Sequence, residues 1–305
     1  MNFIDLFSGC GGLSLGFQKA GFKCKGFVEF WKPAIETMLA NGKGPLIKQD
    51  IRELTAEDCK HLGDIDVVVG GPPCQGFSMA GERKVGDIRN SLFEEFLRVV
   101  DIVKPKFCLM ENVKGIYTMK SLDGDYVFNK ILKEFEKRGY VLKVKLLNSA
   151  NYNVPQKRNR VIFVANRIGV DFEFPEPTGK KYLQGVFDLP FKENEDIQHV
   201  YSKSPKLFKK GFYLRQGEKI SSFGSAGIKL KETFAPTITK TGRYIHPKQN
   251  RLISVRESAR IQTFPDDYRF CGSLSDMYGQ IGNAVPVNMA KAIADKIKND
   301  IQDRS

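Results

Sequence analysis

The sequence predicts an α/β fold: a mostly parallel sheet covered by helices, with a second, smaller, mainly β domain. Three observations carry that prediction. Over the first 165 residues, short apolar runs alternate with stretches of helical period. From about Gly169 to Pro247 the alternation breaks into Gly-, Pro-, Lys- and aromatic-rich turns such as "FPEPTG" and "DLPF". Charge is also unevenly spread: residues 189–275 hold 16 Lys/Arg against 8 Asp/Glu, so they carry most of the chain's net +13.

The elements follow in order. "NFIDLF" (2–7), "KCKGFVE" (23–29), "DIDVVV" (64–69), "KFCLME" (106–111), "YVLKVKLL" (140–147) and "RVIFVA" (160–165) read as strands. Between them, helices are expected at 11–20, 32–41, 92–103 and 126–138. A helix resumes at Ser254, and a final amphipathic helix runs from about Val287 to Lys298. The expected division is a sheet domain of residues 1–188 and 276–305, with the basic region 189–275 as the second domain.

Composition narrows the function. At 305 residues, 41% hydrophobic and 27% charged, the chain can bury a real core. No apolar run reaches membrane-spanning length and no signal peptide precedes the first strand, so an intracellular protein without a membrane partner is expected. A strand that opens at residue 2 leaves no N-terminal regulatory domain to expect. The six cysteines are scattered and form no C-x-x-C pair, and no metal site is expected. None of the three histidines lies close in sequence to a plausible nucleophile, which argues against a thiol hydrolase. The charge makes a polyanion the first partner to consider, and a merely solvated surface is the alternative.

Four stretches carry candidate chemistry. In "DLFSGCGGLSLGF" (5–17) a strand passes through a glycine turn into a helix, so backbone amides can approach a ligand closely. Glu29, closing the second strand, can accept hydrogen bonds from two ribose hydroxyls, and Asp50 falls where a second polar contact to a nucleoside would lie. Phe30 could stack on an adenine or sit in the core. "GGPPCQGFS" (70–78) sets Cys74 at a strand's C-terminal end, as a reactive thiol or as an inert residue in a tight turn. In "MENV" (110–113), Glu111 closes the following strand, where a carboxyl beside a thiol suits attack on an electron-poor ring; the alternative is a cap on the next turn. In "PQKRNR" (155–160), Arg158 and Arg160 alternate onto one face and could anchor an anion, or form an ordinary basic edge.

With these stretches in view, the chain resembles the carbon-5 cytosine DNA methyltransferases of bacterial restriction-modification systems. "DLFSGCGG", "GPPCQGFS", "ENV", "QKRNR", "RLISVRESARIQTFPDDY" (251–268) and "QIGNAVPVNMA" (280–290) occur in that family's order across essentially the whole chain. The resemblance implies a Rossmann-like, S-adenosylmethionine-dependent methyltransferase fold. Its cofactor, released as S-adenosylhomocysteine, would be held by Phe7, Gly9, Cys10, Gly11, Gly12, Leu13, Glu29, Phe30, Asp50, Ile51, Pro73, Asn283 and Ala284. Cys74 would be the nucleophile at cytosine carbon 6, and Glu111 would bind ring nitrogen 3 and the exocyclic amine, assisted by Arg158 and steadied by Arg160.

The same resemblance makes double-stranded DNA the partner and residues 189–275 the target-recognition domain. The target base must leave the helix to be reached. The stretch 78–90 is assigned as a loop that closes over it. Expected DNA contacts are Gln75, Ser78, Arg83, Lys84, Arg89, Arg215, Gln216, Lys240, Arg243 and Arg256. A monomer in the bacterial cytoplasm is expected, with a companion endonuclease that forms no stable complex. At Asn153 the family often has glycine, and asparagine tolerates the positive φ that a turn there requires. Three rival readings compete with this one. A tRNA-methylating relative would carry a Cys-Phe-Thr motif, which is absent. A dinucleotide oxidoreductase would leave Cys74 and Glu111 without a task. A DNA-binding regulator that has lost catalysis is opposed by the intact thiol and acid.

Overall fold

The chain's first strand, β1 (Asn2–Leu6), lies in the interior of a seven-stranded sheet formed with β2 (Lys23–Val28), β3 (Leu46–Lys48), β4 (Val67–Gly70), β5 (Phe107–Asn112), β6 (Val141–Asn148) and β7 (Asn159–Asn166). The computed structural model describes residues 1–73, 92–121, 124–187, 228–231, 233–240, 244–248 and 252–304. The strand order is β3-β2-β1-β4-β5-β7-β6, with parallel pairing except at β7, which runs antiparallel to both neighbours. The connection from β6 to β7, residues 149–158, is too short for a parallel crossover, so this strand returns antiparallel.

Alternating residues of the central strands supply two separate cores. On one face Phe3, Val67, Val69, Phe107 and Leu109 pack with α1 (Gly12–Lys19) and with the chain's last helix, through Phe17, Ile293 and Ile297. On the other, Ile4, Leu6, Val68, Cys108 and Met110 meet Cys59 of α3 (Ala56–Lys60), Phe96 of α4 (Leu92–Val103) and Ile131 of α5 (Val127–Lys137). The helix α2 (Lys32–Ala40) covers the β2 side through Ile35 and Met38 against Phe27. After the short α6 (Gln184–Phe187) come α7 (Val255–Ile261), α8 (Leu274–Asn283) and α9 (Val287–Gln302), which runs beyond the expected Lys298.

The described part of the basic region holds a two-stranded sheet, β8 (Ile228–Lys229) beside β9 (Tyr244–Ile245). Leu183, Leu230, Ala235, Ile238, Tyr244 and Ile253 form its small core. Part of 252–275 packs differently: Val255, Ala259, Phe264 and Tyr268 join Cys10, Leu15, Ile281 and Val287 of the sheet domain, while Ile253 and Ile261 stay with the small core.

One topological feature positions the site. From β1 the chain steps to β2 and β3 on one side, then returns to β4 on the other. The C-terminal ends of β1 and β4 therefore flank a crevice, the place where open α/β sheets bind ligands.

Candidate active site

The first wall of the crevice is the turn after β1. Phe7, Gly9 and Gly11 all take positive φ (58, 54 and 83°), which costs glycine little and phenylalanine more. The Gly11 amide donates to the Ser8 carbonyl at 2.9 Å, tightening the turn before α1 begins. A side chain at Gly12 would collide with the Val285 carbonyl, and one at Gly16 with Ala290. That close approach brings Asn283 and Ala284 beside the turn from the far end of the chain. Space is open above Gly9, where an added Cβ would meet nothing within 4 Å. Below it the buried hydroxyl of Ser8 has no hydrogen-bond partner.

Glu29 sits at the end of β2 with its carboxylate buried. It accepts from the Gly9 amide (2.7 Å) and the Trp31 amide (2.9 Å), which leaves lone pairs on both oxygens for a ligand. Burial raises its pKa, and those amide bonds oppose the rise. Phe30 is 75% exposed, so the core reading fails and the ring is free to stack. Asp50 caps the turn Ile51–Glu53 by accepting from the Arg52 amide, and it pairs with the Arg52 side chain (Nε at 2.9 Å). The side chains of Cys10, Leu13 and Ile51 are buried, so those residues can offer a ligand only backbone. Burial pushes the Cys10 thiol well up, and its Sγ lies 3.4 Å from the Gln280 carbonyl.

The second wall belongs to β4 and β5, which pair directly with Gly70 opposite Met110. Glu111 therefore lies beside the Gly71–Pro73 turn, and a Cβ on Gly71 would sit 3.2 Å from Glu111 Oε2. Arg160 on β7 reaches across, its Nε 2.6 Å from Glu111 Oε1, with both side chains 12% exposed. Glu111 is thus half of an ion pair. Asn112 fixes the same turn: its Nδ2 donates to the Pro72 carbonyl at 3.2 Å, and its Oδ1 accepts from the Val113 amide.

Arg158 corrects the expectation for the arginine pair. Instead of converging on Glu111 with Arg160, its guanidinium, 1% exposed, donates to the carbonyls of Ile238 (2.8 Å), Gly282 (3.0 Å) and Asn283 (3.4 Å). The Ser149 hydroxyl accepts from the Arg158 amide and holds the strand entrance that aims this side chain inward. Burial, followed by the neighbouring Arg160 charge, lowers its pKa to about 9, which leaves it cationic at neutral pH. Buried Gln156 and Gln262 complete the clasp. Gln156 donates to Gln262 Oε1 (2.8 Å) and accepts from the Ile238 amide (2.7 Å), while Gln262 donates to the Ile281 carbonyl (2.8 Å).

One side of the crevice thus carries an exposed aromatic ring, an acceptor carboxylate and a glycine turn, and the other a half-buried Glu–Arg pair. Against known proteins, residues 1–299 match the family described as C-5 cytosine-specific DNA methylase. The chain belongs to that family. It is a DNA cytosine-5 methyltransferase. It is 38% identical to the type II methyltransferase M.FnuDI of Fusobacterium nucleatum, over 100% of this chain and 96% of that protein. It is 37% identical to M1.HphI of Haemophilus parahaemolyticus, over 97% and 86%. A solved E. coli prophage protein, a candidate DNA modification methyltransferase, superposes with a TM-score of 0.79 at 27% identity over 99% of both chains.

For a methylase, several expected residues fall outside the described ones: Cys74, Gln75, Ser78, Arg83, Lys84, Arg89, Arg215, Gln216 and Arg243. Two expected DNA contacts are described and have internal partners. Arg256 donates to the carbonyls of Pro265 (3.1 Å) and Tyr268 (2.8 Å), and so ties down the loop after α7. Lys240 places its Nζ 5.1 Å from the centre of the Trp31 ring. Asn153 has the expected positive φ, 54°, and donates to the Thr178 carbonyl. Sequence reasoning missed Asn112, Gln262 and the pair Asp5–Ser14. In that pair the Ser14 hydroxyl donates to Asp5 Oδ2 at 2.6 Å, while burial raises the Asp5 carboxyl to about 7.

Among the described residues, no helix is long and apolar enough to cross a membrane.

Proposed function

We propose that this methyltransferase uses S-adenosylmethionine to methylate carbon 5 of a cytosine flipped from a short double-stranded DNA site. We further propose that it is the modification enzyme of a restriction-modification system in the bacterial cytoplasm. The observation that carries this reading is the half-buried Glu111–Arg160 pair beside the turn leading to Cys74, across the crevice from open Gly9 and exposed Phe30. The names of the relatives, type II methyltransferases, support the biological setting.

In this reading Phe30 stacks on the adenine, Glu29 binds the ribose hydroxyls, and the amides of residues 9–12 line the site. When bound, the sulfonium cofactor supplies an electrophilic methyl group. Cys74 adds as thiolate to carbon 6, and Glu111, fixed by Arg160, hydrogen-bonds ring nitrogen 3 and the exocyclic amine as electron density moves onto the ring. Carbon 5 then becomes nucleophilic enough to be methylated. Loss of its proton restores the ring and expels the Cys74 thiolate. Arg158 acts at one remove, keeping 238 and 282–283 against the site.

The recognition region, residues 189–275, reads the DNA from across the cleft. Since Val255, Ala259, Phe264 and Tyr268 pack on the sheet domain, base reading falls to the part before Arg251. One monomer embraces one duplex, and a companion endonuclease would act separately.

The test is transfer of label from tritiated S-adenosylmethionine to unmethylated duplex DNA, with tRNA in parallel. Label is expected in 5-methylcytosine of the DNA alone. Label in tRNA alone, or in neither, overturns the reading.

A further inference from the structure

We propose that Trp31 and Lys240 form a latch through which cofactor binding and DNA binding strengthen each other, making both positioning residues. The inference rests on the cofactor site read above at Glu29 and Phe30.

The latch joins two bodies that the mechanism needs to act together. Trp31 belongs to the cofactor corner: its amide donates to Glu29 Oε1 at 2.9 Å, and it follows exposed Phe30 directly. Lys240 ends a segment that begins beside the β6–β7 connection. There the Ala235 amide donates to the Pro155 carbonyl (2.9 Å), the Lys157 amide to the Ala235 carbonyl (2.8 Å), and Arg158 to the Ile238 carbonyl. Tyr244 stiffens the middle, donating to the Thr237 carbonyl (2.7 Å) and accepting from the Thr239 amide (3.1 Å). Residues 235–240 thus run as a braced strap from the neighbourhood of Glu111 and Arg160 to the face of Trp31.

The floor under the strap is built for this contact. Gly279 and Gly282, three apart on one face of α8, leave room that larger residues would fill. A Cβ at Gly279 would come within 3.1 Å of Trp31 Cη2 and 3.4 Å of Lys240 Cγ. One at Gly282 would collide with the backbone of Thr239 and Lys240. Indole and ammonium therefore meet over a glycine groove, with Lys240 Nζ 5.1 Å from the ring centre, inside the range of a cation–π contact. Asp276 on the same helix feels the Lys240 charge, which helps hold the ammonium there. A movement of the strap on DNA binding would be passed through this contact to Trp31, and hence to the amide that orients Glu29. By linkage, a change at the cofactor corner acts back on the strap to the same extent.

Trp31 is the chain's single tryptophan, so the protein carries its own probe. S-adenosylhomocysteine would be titrated by tryptophan fluorescence, with and without a saturating duplex bearing the site methylated in the assay above. Wild-type protein should bind it roughly tenfold more tightly in the presence of DNA, within the usual span of coupling between sites. Lys240→Met should cut that factor to about twofold or less, while Lys240→Arg, which retains the cation over the ring, should preserve it. Trp31→Leu, followed by calorimetry, should lose the factor as Lys240→Met does.

A Lys240 that only gripped phosphate would weaken DNA binding and leave the factor unchanged, and that result overturns the latch alone. If S-adenosylhomocysteine fails to bind the wild-type protein, the cofactor site and the latch fall together. Glu29→Ala separates the cases, because it should abolish binding of S-adenosylhomocysteine with or without DNA.

Discussion

Arg158→Met should cost stability, and Arg160→Met should cost catalysis. The Arg158 guanidinium is buried and spends its donors on Ile238 and Gly282 at 2.8 and 3.0 Å, with a longer bond to Asn283. Hydrogen bonds from a charged group contribute about 1.5–3 kcal/mol each, and the acceptors would be left buried without a donor. The two short bonds together come to about 3–6 kcal/mol, of which methionine recovers part by refilling the volume. A net loss of about 3 kcal/mol is expected, seen as a fall of about 1 M in the urea midpoint for a slope near 3 kcal/mol per molar. Arg160 lies at the crevice and contacts Glu111. Its removal should shift the midpoint by less than about 0.5 M, while kcat falls on the order of a hundredfold as the acid loses its orientation. Urea unfolding and single-turnover methylation on both variants decide the matter. A wild-type midpoint for Arg158→Met together with lost turnover would place that guanidinium in the reaction and refute its role as a clasp.

Three further outcomes are expected. Asp5 has its carboxyl raised by burial to about 7, above its unfolded value, so the folded state holds the extra proton between about pH 4 and pH 7. Stability should therefore fall as pH rises through that window and level off above it. Asp5→Asn should flatten the slope, leaving the smaller contribution of Glu29, so a slope in urea midpoints unchanged by the substitution would show that Asp5 is not its source. Gly12→Ala must displace the Val285 carbonyl, at a cost of about 1–3 kcal/mol, and should weaken cofactor binding; an unchanged melting temperature would contradict the packing. Phe30→Ala should leave stability unchanged, because the ring is exposed, and raise the KM for S-adenosylmethionine about tenfold, the loss of one stacking contact. An unchanged KM would remove Phe30 from the site.

The sheet was legible because each central strand is apolar on both faces and each loop beyond it is punctuated by Gly or Pro. Within "DIDVVV" the strand begins only at Val67, because Asp66 is occupied outside it, accepting from the Asn2 amide and pairing with Lys106. β3 is only three residues long, below what periodicity detects. α8 was hidden by Gly279 and Gly282, which look like loop residues until the strap that fills their place is seen. Its start did carry a signal in the Ser273–Asp276 capping box, as did α3 in Thr55–Asp58. Of the candidate site, the positions of the glycine turn, Glu29, Phe30, Glu111 and Arg160 at strand ends were readable. Arg158 was not, because its partners Ile238 and Gly282 lie far along the chain, and only the fold brings those carbonyls to it. Lys240 likewise reads as a phosphate contact in a basic segment, and its position over Trp31 depends on a helix that the sequence conceals.

The most direct test is trapping. The protein would be incubated with S-adenosylmethionine and duplex DNA carrying 5-fluorocytosine, whose fluorine cannot leave as the carbon-5 proton does. A denaturation-stable protein–DNA complex should form with the wild-type chain, disappear in Cys74→Ala, and reveal the target site when the bound DNA is sequenced. Methylation of ordinary DNA without any such complex, or a complex that survives in Cys74→Ala, would contradict nucleophilic catalysis by Cys74.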